Sequence, residues 1–308
     1  MEIICLGEAL IDFKDTGPLA FQGYVGGSPL NVAVAAARLG AEVGFASQVS
    51  SDMFGEAILA HMRANGVLTD LVLRSDDPST LAFVSERGGD AHFSFLANGS
   101  ADTRYDPQPR PRLPEGARFL QFGSISLLEE PAASAIGDII AAHEARTTVV
   151  FDPNVRPALI TDRESYLAKL GNWLALAAIV KVSLQDLHWL YPATDAEAAA
   201  VAWLGRGPRA VVVTRGRDGA SLLRPGRAPL EVSAFQVGVV DTVGAGDAFT
   251  AALMVALGQH REPLERLADA EAAAVLSFAA AAAALSCTRA GADPPAREEV
   301  EAVLRART

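Results

Sequence analysis

Asp241-Thr242-Val243-Gly244-Ala245-Gly246-Asp247-Ala248-Phe249 decides how the rest of this 308-residue chain is read. It sets three small residues at the start of a helix and places a carboxylate just inside it. Upstream, Phe235-Gln236-Val237-Gly238-Val239-Val240 predicts a strand that enters a turn open to glycine. Downstream, Phe249 to Leu257 predicts a helix closed by Gly258. The free N–H groups of a helix start favour an anion, most naturally phosphate. Gly244, Ala245 and Gly246 leave room for that anion to touch the backbone. Asp247 then stands where a phosphate would repel it, which makes sense if it takes a proton from an incoming hydroxyl. The competing reading is an ordinary helix start whose first-turn Asp is favoured by the macrodipole.

Working outward, the composition allows a large buried core, with 50% hydrophobic and 20% charged residues. The formal net charge is -11, and no Lys/Arg cluster marks a nucleic-acid or anionic-membrane surface. A phosphate pocket must therefore be built locally, from backbone dipoles and a few cations. Two cysteines, Cys5 and Cys287, fit a reducing cytoplasm without a disulfide framework. The first residues enter a strand with no basic region or cleavage site, so a cytoplasmic protein is expected. Ala272 to Cys287 is the strongest membrane candidate. Mostly alanine, broken by Ser277 and Ser286 and short of a span, it is expected as a closely packed core helix.

Short apolar strands alternate with helical patterns. Strands are expected at Glu2 to Leu6, Glu42 to Ser47, Arg118 to Phe122, Thr148 to Asp152, Ile179 to Val182 and Ala210 to Thr214. Helices are expected at Pro29 to Leu39, Phe54 to Asn65, Pro131 to Ala145, Asp195 to Leu204 and Leu264 to Leu285. This alternation predicts a doubly wound α/β core with ligands outside the carboxyl ends of a parallel sheet. Leu81 to Ser85 and His92 to Leu96 alternate in hairpin style around Gly88-Gly89-Asp90. With Leu19 to Tyr24 they predict a small projecting sheet, a flap that could cover a ligand or pair with another subunit. Arg104 to Pro114 reads as a surface loop. No linker marks two independent domains.

Four further clusters fall at expected strand ends. Gly7-Glu8-Ala9-Leu10-Ile11-Asp12 ends in a carboxylate, and Gly26-Gly27-Ser28-Pro29-Leu30-Asn31 is a Gly-rich turn entering a helix. Asp12 and Asn31 can hold sugar hydroxyls by accepting and donating hydrogen bonds, although singly they read as a turn residue and a helix-start residue. Asp152-Pro153-Asn154-Val155-Arg156-Pro157 supplies Arg156, planar and always charged, suited to a phosphoryl group or a surface salt bridge. Thr214-Arg215-Gly216-Arg217-Asp218-Gly219 could accommodate nucleotide phosphates, or form a plain hairpin. No Walker A sequence, dinucleotide Gly-x-Gly-x-x-Gly after the first strand, metal-spaced histidines or serine nucleophile elbow occurs.

Together these clusters resemble the ribokinase-like carbohydrate kinases, the PfkB family, from Gly7 to about Gly291. The most specific parts are Asp241 to Met254 and the Gly26-to-Asn31 turn with its Ala-rich helix to Gly40. The resemblance implies a three-layer αβα sandwich with a mainly parallel sheet and a small β lid, one domain over residues 1–308, with lid strands inserted at about 13–26 and 79–105. It implies Asp247 as the base that deprotonates a sugar hydroxyl attacking the γ-phosphate of ATP, and Gly244, Ala245 and Gly246 as the anion hole. Arg156 and Asn154 would meet the nucleotide or the moving phosphate. Asp12, Gly26, Gly27 and Asn31 would bind the sugar, and Thr214, Gly216 and Gly219 the nucleotide phosphates. Ala279 to Gly291 would border the adenine, and Asp241 would help form a potassium site.

One motif departs from the family. Its Asn-x-x-Glu, which organises magnesium through water, stands here as Ser183-Leu184-Gln185-Asp186. Within the family the chain looks most like bacterial fructokinases, which implies D-fructose as substrate. The runner-up is 2-keto-3-deoxygluconate, whose carboxylate should need Arg contacts that Phe93-Ser94-Phe95-Leu96-Ala97-Asn98 does not offer. A nucleoside kinase and a non-catalytic sugar or nucleotide sensor are the remaining alternatives. A sensor has no need of Asp247.

Overall fold

The computed structural model of the chain describes residues 1–87 and 90–307. Its strands are β1 (Ile3–Leu6), β2 (Leu10–Gly17), β3 (Ala20–Gly26), β4 (Val43–Ser50), β5 (Val72–Ser75), β6 (Thr80–Arg87) and β7 (Asp90–Leu96). Then follow β8 (Phe119–Gly123), β9 (Thr148–Asp152), β10 (Ile179–Ser183), β11 (Ala210–Thr214), β12 (Ala220–Leu223) and β13 (Leu230–Val232). The helices are α1 (Ser28–Arg38), α2 (Met53–Ala64), α3 (Ala132–Ala141), α4 (Arg163–Leu176), α5 (Leu184–Leu190), α6 (Ala196–Trp203), α7 (Ala245–Leu257), α8 (Asp269–Ser286) and α9 (Arg297–Arg307).

Nine strands form one sheet in the order β13-β12-β11-β10-β9-β8-β1-β4-β5. All its pairings are parallel except β11 with β12 and β12 with β13. β1 and β8 bury every residue, as strands covered on both faces must. One core holds Leu30 and Val34 of α1, Ile58 of α2, Leu253 of α7 and Leu276 of α8. The other holds Ile136 of α3, Leu170 of α4, Leu187 of α5 and Trp203 of α6, whose indole N–H donates to the Tyr191 hydroxyl at 3.1 Å. The three-layer αβα sandwich is therefore as expected. From β1 the chain winds outward through β4 and β5, then returns to β8 and winds the other way. The crevice at that reversal is where a ligand fits an open α/β sheet.

β3, β2, β6 and β7 form the lid, a second sheet of four strands. The flap strands expected near 19–24, 81–85 and 92–96 are present, and β2, within the expected 13–26 stretch in its second half, begins earlier, at Leu10. The expected hairpin corner at Gly88-Gly89 lies outside the described residues. Phe13 stacks on Phe83 at 5.1 Å and meets Phe54 of α2 edge-on at 5.7 Å, which seats the lid on the body.

Other expectations need correction. Phe235 to Val240 forms no strand. It is an exposed crossing whose Val240 N–H donates to the Cys287 carbonyl at 2.8 Å, so the β-branched residues have no ladder to join. The helix expected from Leu264 starts at Asp269, where Glu271 reaches back to the Ala268 N–H at 3.1 Å. By length and composition α8 could cross a membrane. Instead it buries Ala272, Val275, Leu276 and Ala279 to Ala282 in the core, as expected.

Candidate active site

The tip of α7 is shaped by its first residues. Gly244 caps the helix at φ +76°, a left-handed conformation that glycine adopts without strain. A methyl group there would lie 2.7 Å from Ala292 Cβ and 2.9 Å from Ala292 Cα, so two backbones meet at this point. The approach loop is fixed by Asp241, whose carboxylate accepts from the Val243 N–H at 3.0 Å and the Gly291 N–H at 2.9 Å. Lys14, from the lid strand β2, also pairs with Asp241. Burial opposes the charge on Asp241, but these donors, Lys14 foremost, hold the carboxyl below its ordinary range. First-turn amides have no partner inside a helix. That of Ala245 leans on the Thr242 carbonyl at 3.3 Å, which leaves the Gly246 and Asp247 amides for an anion.

Asp247 points into the crossing of α7 with α1. Its two oxygens accept from Ser28 Oγ at 2.7 Å and Asn31 Nδ2 at 2.9 Å. Burial pushes its carboxyl up; Ser28, Asn31 and the Lys181 ammonium counter that push, and Asp152 adds to it. The start of α1 is placed by Gly27, at φ +105°, where a methyl would sit 2.7 Å from the Glu8 carbonyl oxygen. Glu8 accepts from the Ser28 N–H at 3.2 Å and the Ser126 N–H at 3.2 Å, and Ser126 Oγ also donates to it. Burial pushes the Glu8 carboxyl up to about 7. Beside it, a methyl on Gly26 would fall 2.2 Å from Asp12 Oδ2, so that glycine makes room for the acid. Asp12 and Lys14 share one face of β2 by the two-residue repeat of a strand. Burial raises the Asp12 carboxyl to about 6; Arg156 and Lys14 pull it down, and Asp247 pushes it further up.

The strand ends on the other side of the switch point carry the expected nucleotide residues. Asn154 stands at φ +38° after β9, and its side-chain oxygen accepts from Arg156 at 2.7 Å. The Arg156 charge favours the ionised forms of both Asp12 and Asp186. Ser183 caps α5, its Oγ accepting from the Asp186 N–H at 3.0 Å. Burial raises the Asp186 carboxyl, and neighbouring Asp152 raises it further. The register sets Ser183 beside Thr214. Gly216, at φ +54°, faces open space, whereas a methyl on Gly219 would fall 2.0 Å from the Val232 carbonyl oxygen. Gly219 therefore answers first to packing against β13.

Asp247 thus meets Ser28 and Asn31 where α7 crosses α1, with Gly244 to Gly246 at the adjoining helix tip and Gly27 turning the chain into α1, while Asp12, beside Gly26, feels the charges of Asp247 and Arg156. Thr214, Gly216, Gly219 and the Ser183–Asp186 pair line the adjoining strand ends. The reading from sequence passed over Ser28, Glu8, Lys14 and Lys181. For Lys181 a signal was available, since an ionisable residue in the apolar run Ile179 to Val182 needs a buried partner.

The pfkB family carbohydrate kinase model matches residues 1–299. The chain is 37% identical over 259 residues to a fructokinase of Rhizobium leguminosarum bv. trifolii, covering 83% of this chain and 79% of that one. Xylella fastidiosa fructokinase with bound ATP superposes with a TM-score of 0.90 at 32% identity, covering 99% of this chain and 98% of that one. A double mutant of Vibrio cholerae O395 fructokinase, in a form with fructose, ADP and potassium ion, gives a TM-score of 0.88 at 27% identity, covering 98% of each chain. The fold and this crevice define a carbohydrate kinase, and the chain belongs to the pfkB family. Within that family it is a fructokinase-like sugar kinase.

Proposed function

We propose that this chain transfers the γ-phosphate of ATP to a hydroxyl of D-fructose, with Asp247 as the base. The observation that carries the reading is the placement of Asp247. It is buried, oriented by Ser28 and Asn31, and set one residue beyond the Gly246 amide at the open tip of α7. Asp12 and Asn31 would hold the sugar so that one hydroxyl faces Asp247, and the α7 amides would gather the charge of the phosphoryl group in flight. Arg156 adds a fixed positive charge to the same crevice.

Magnesium bound with ATP would neutralise phosphate charge. Among the described residues no group of three or more His, Cys, Asp or Glu could hold a metal ion. Asp186, capped into α5 by Ser183, is the carboxylate that would meet such an ion through its waters. Asp241 is the carboxylate for potassium, which would share it with the Lys14 ammonium.

A neutral sugar fits better than a carboxylated one. The lid segment Phe93-Ser94-Phe95-Leu96-Ala97-Asn98 contains no Lys or Arg to meet a carboxylate. Leu19, Phe21, Tyr24 and Leu96, exposed on the lid, support its second expected use as a pairing surface for another copy, which sedimentation velocity measures.

The test is an ADP-release screen over fructose, 2-keto-3-deoxygluconate, ribose and adenosine, with and without potassium. Fructose should give the highest kcat/KM by at least roughly tenfold. A preference for 2-keto-3-deoxygluconate or adenosine would replace fructose as the substrate. Tight sugar binding without ADP release would revive the sensor.

A further inference from the structure

Lys181 has no part in the chemistry described so far, yet it is a buried cation packed against the α7 tip. It rises from the middle of β10, is only 4% exposed, and its Nζ donates to Asp152 Oδ2 at 2.8 Å. A methyl group on Gly246 would lie 2.9 Å from that Nζ, so the ammonium is lodged directly beneath the corner of α7 that precedes Asp247. Thr250, one turn further along α7, ties the same parts together. Its Oγ1 donates to the Gly246 carbonyl at 3.0 Å and reaches Asp152 Oδ2 at 3.5 Å.

A lysine sealed into an apolar strand costs free energy unless its charge is used, and a simple structural pair is served as well by apolar residues of similar volume. Here the charge faces a concentration of acids. Asp247 shares its surroundings with Asp152 on β9, Asp12 on β2 and the neutral thiol of Cys5 on β1, while its partners on α1, Ser28 and Asn31, are uncharged. Of the charged groups acting on Asp247, Lys181 favours its ionised form and Asp152 opposes it. Burial works against the charge on Lys181 itself, but Asp152, Asp247 and Asp186 together outweigh it and keep the ammonium protonated.

We propose that Lys181 is a positioning residue for Asp247: its buried ammonium, braced by Asp152 under Gly246, keeps the base ionised where burial opposes its charge. It touches neither sugar nor nucleotide and acts through Asp247 alone. Lys181 also explains why position 246 is glycine, because any side chain there would displace the ammonium.

The proposal rests on Asp247 as base, and it makes two variants move one observable in opposite directions. The observable is the acid limb of kcat/KM for fructose against pH, measured on the full-length enzyme. Lys181→Met removes the favourable charge and should move the limb up by roughly one pH unit or more, with turnover recovering as pH rises. Asp152→Asn keeps a hydrogen-bond acceptor for Lys181 but removes the opposing charge, so the limb should move down. General damage to the fold lowers the plateau of both profiles without separating their limbs. Limbs that stay with the wild type, or that move the same way in both variants, overturn the proposal. Where Lys181→Met does not fold, Asp152→Asn decides alone, an unmoved or raised limb counting against it. Failure of the underlying reading looks different: Asp247→Asn would then keep its turnover.

Discussion

Asp247→Asn loses roughly 10²- to 10⁴-fold in kcat while nucleotide affinity is largely spared. The substitution keeps the volume of the side chain and its acceptor for Ser28 Oγ. It removes the oxygen that accepts from Asn31 Nδ2, now 2.9 Å away, and sets two amide donors against each other or forces one to turn. That local cost is small beside the chemical one, since an amide cannot take the proton of the attacking hydroxyl. Stopped assays of ADP formation, with nucleotide affinity measured separately, separate the two effects. Near-normal turnover would remove Asp247 from the mechanism.

Gly244→Ala carries the second large effect, through backbone rather than chemistry. At φ +76° an alanine costs about 1–2 kcal/mol in conformation alone. Its methyl would also press on Ala292, with contacts of 2.7 Å and 2.9 Å to Cβ and Cα, and a backbone atom cannot swing aside as a long side chain would. The loop must therefore shift away from the segment that Asp241 and Gly291 hold in place, and the Gly246 and Asp247 amides turn with it. Loss of one such donor from an anion site is worth roughly 10²- to 10³-fold in kcat. The expected signature is a fall in kcat of that order together with a lower melting temperature, and unchanged kcat would show that the tip of α7 takes no part in catalysis.

Much of this architecture was legible in the residues. The apolar runs of β1, β8, β9, β10 and β11 announced a parallel sheet. The small residues before Asp247 announced the glycine-capped start of α7. Legibility failed where tertiary contacts decide. Phe235 to Val240 has the composition of a strand, but it joins no ladder and is tied to the body at the Cys287 carbonyl instead. The start of β2 was hidden from the residue pattern because Asp12 and Lys14 interrupt its apolar run, on the face where Lys14 meets Asp241. Lys14 and Asp241 lie 227 residues apart in the chain. Neither Ser28 nor Lys181 could be assigned without the crossing of α1 with α7 and the register of β9 with β10. At Gly219, read from sequence as room for phosphate, the structure adds a packing reason for glycine, its closeness to the Val232 carbonyl.

The most direct test of the account is a crystal structure of the enzyme with ADP, magnesium, fructose and a planar aluminium fluoride as mimic of the phosphoryl group. The account predicts the fluoride within hydrogen-bond reach of the Gly246 and Asp247 amides, and a fructose hydroxyl in line with it and against the Asp247 carboxylate. A fluoride bound away from the tip of α7, or a fructose with no hydroxyl against Asp247, would contradict it.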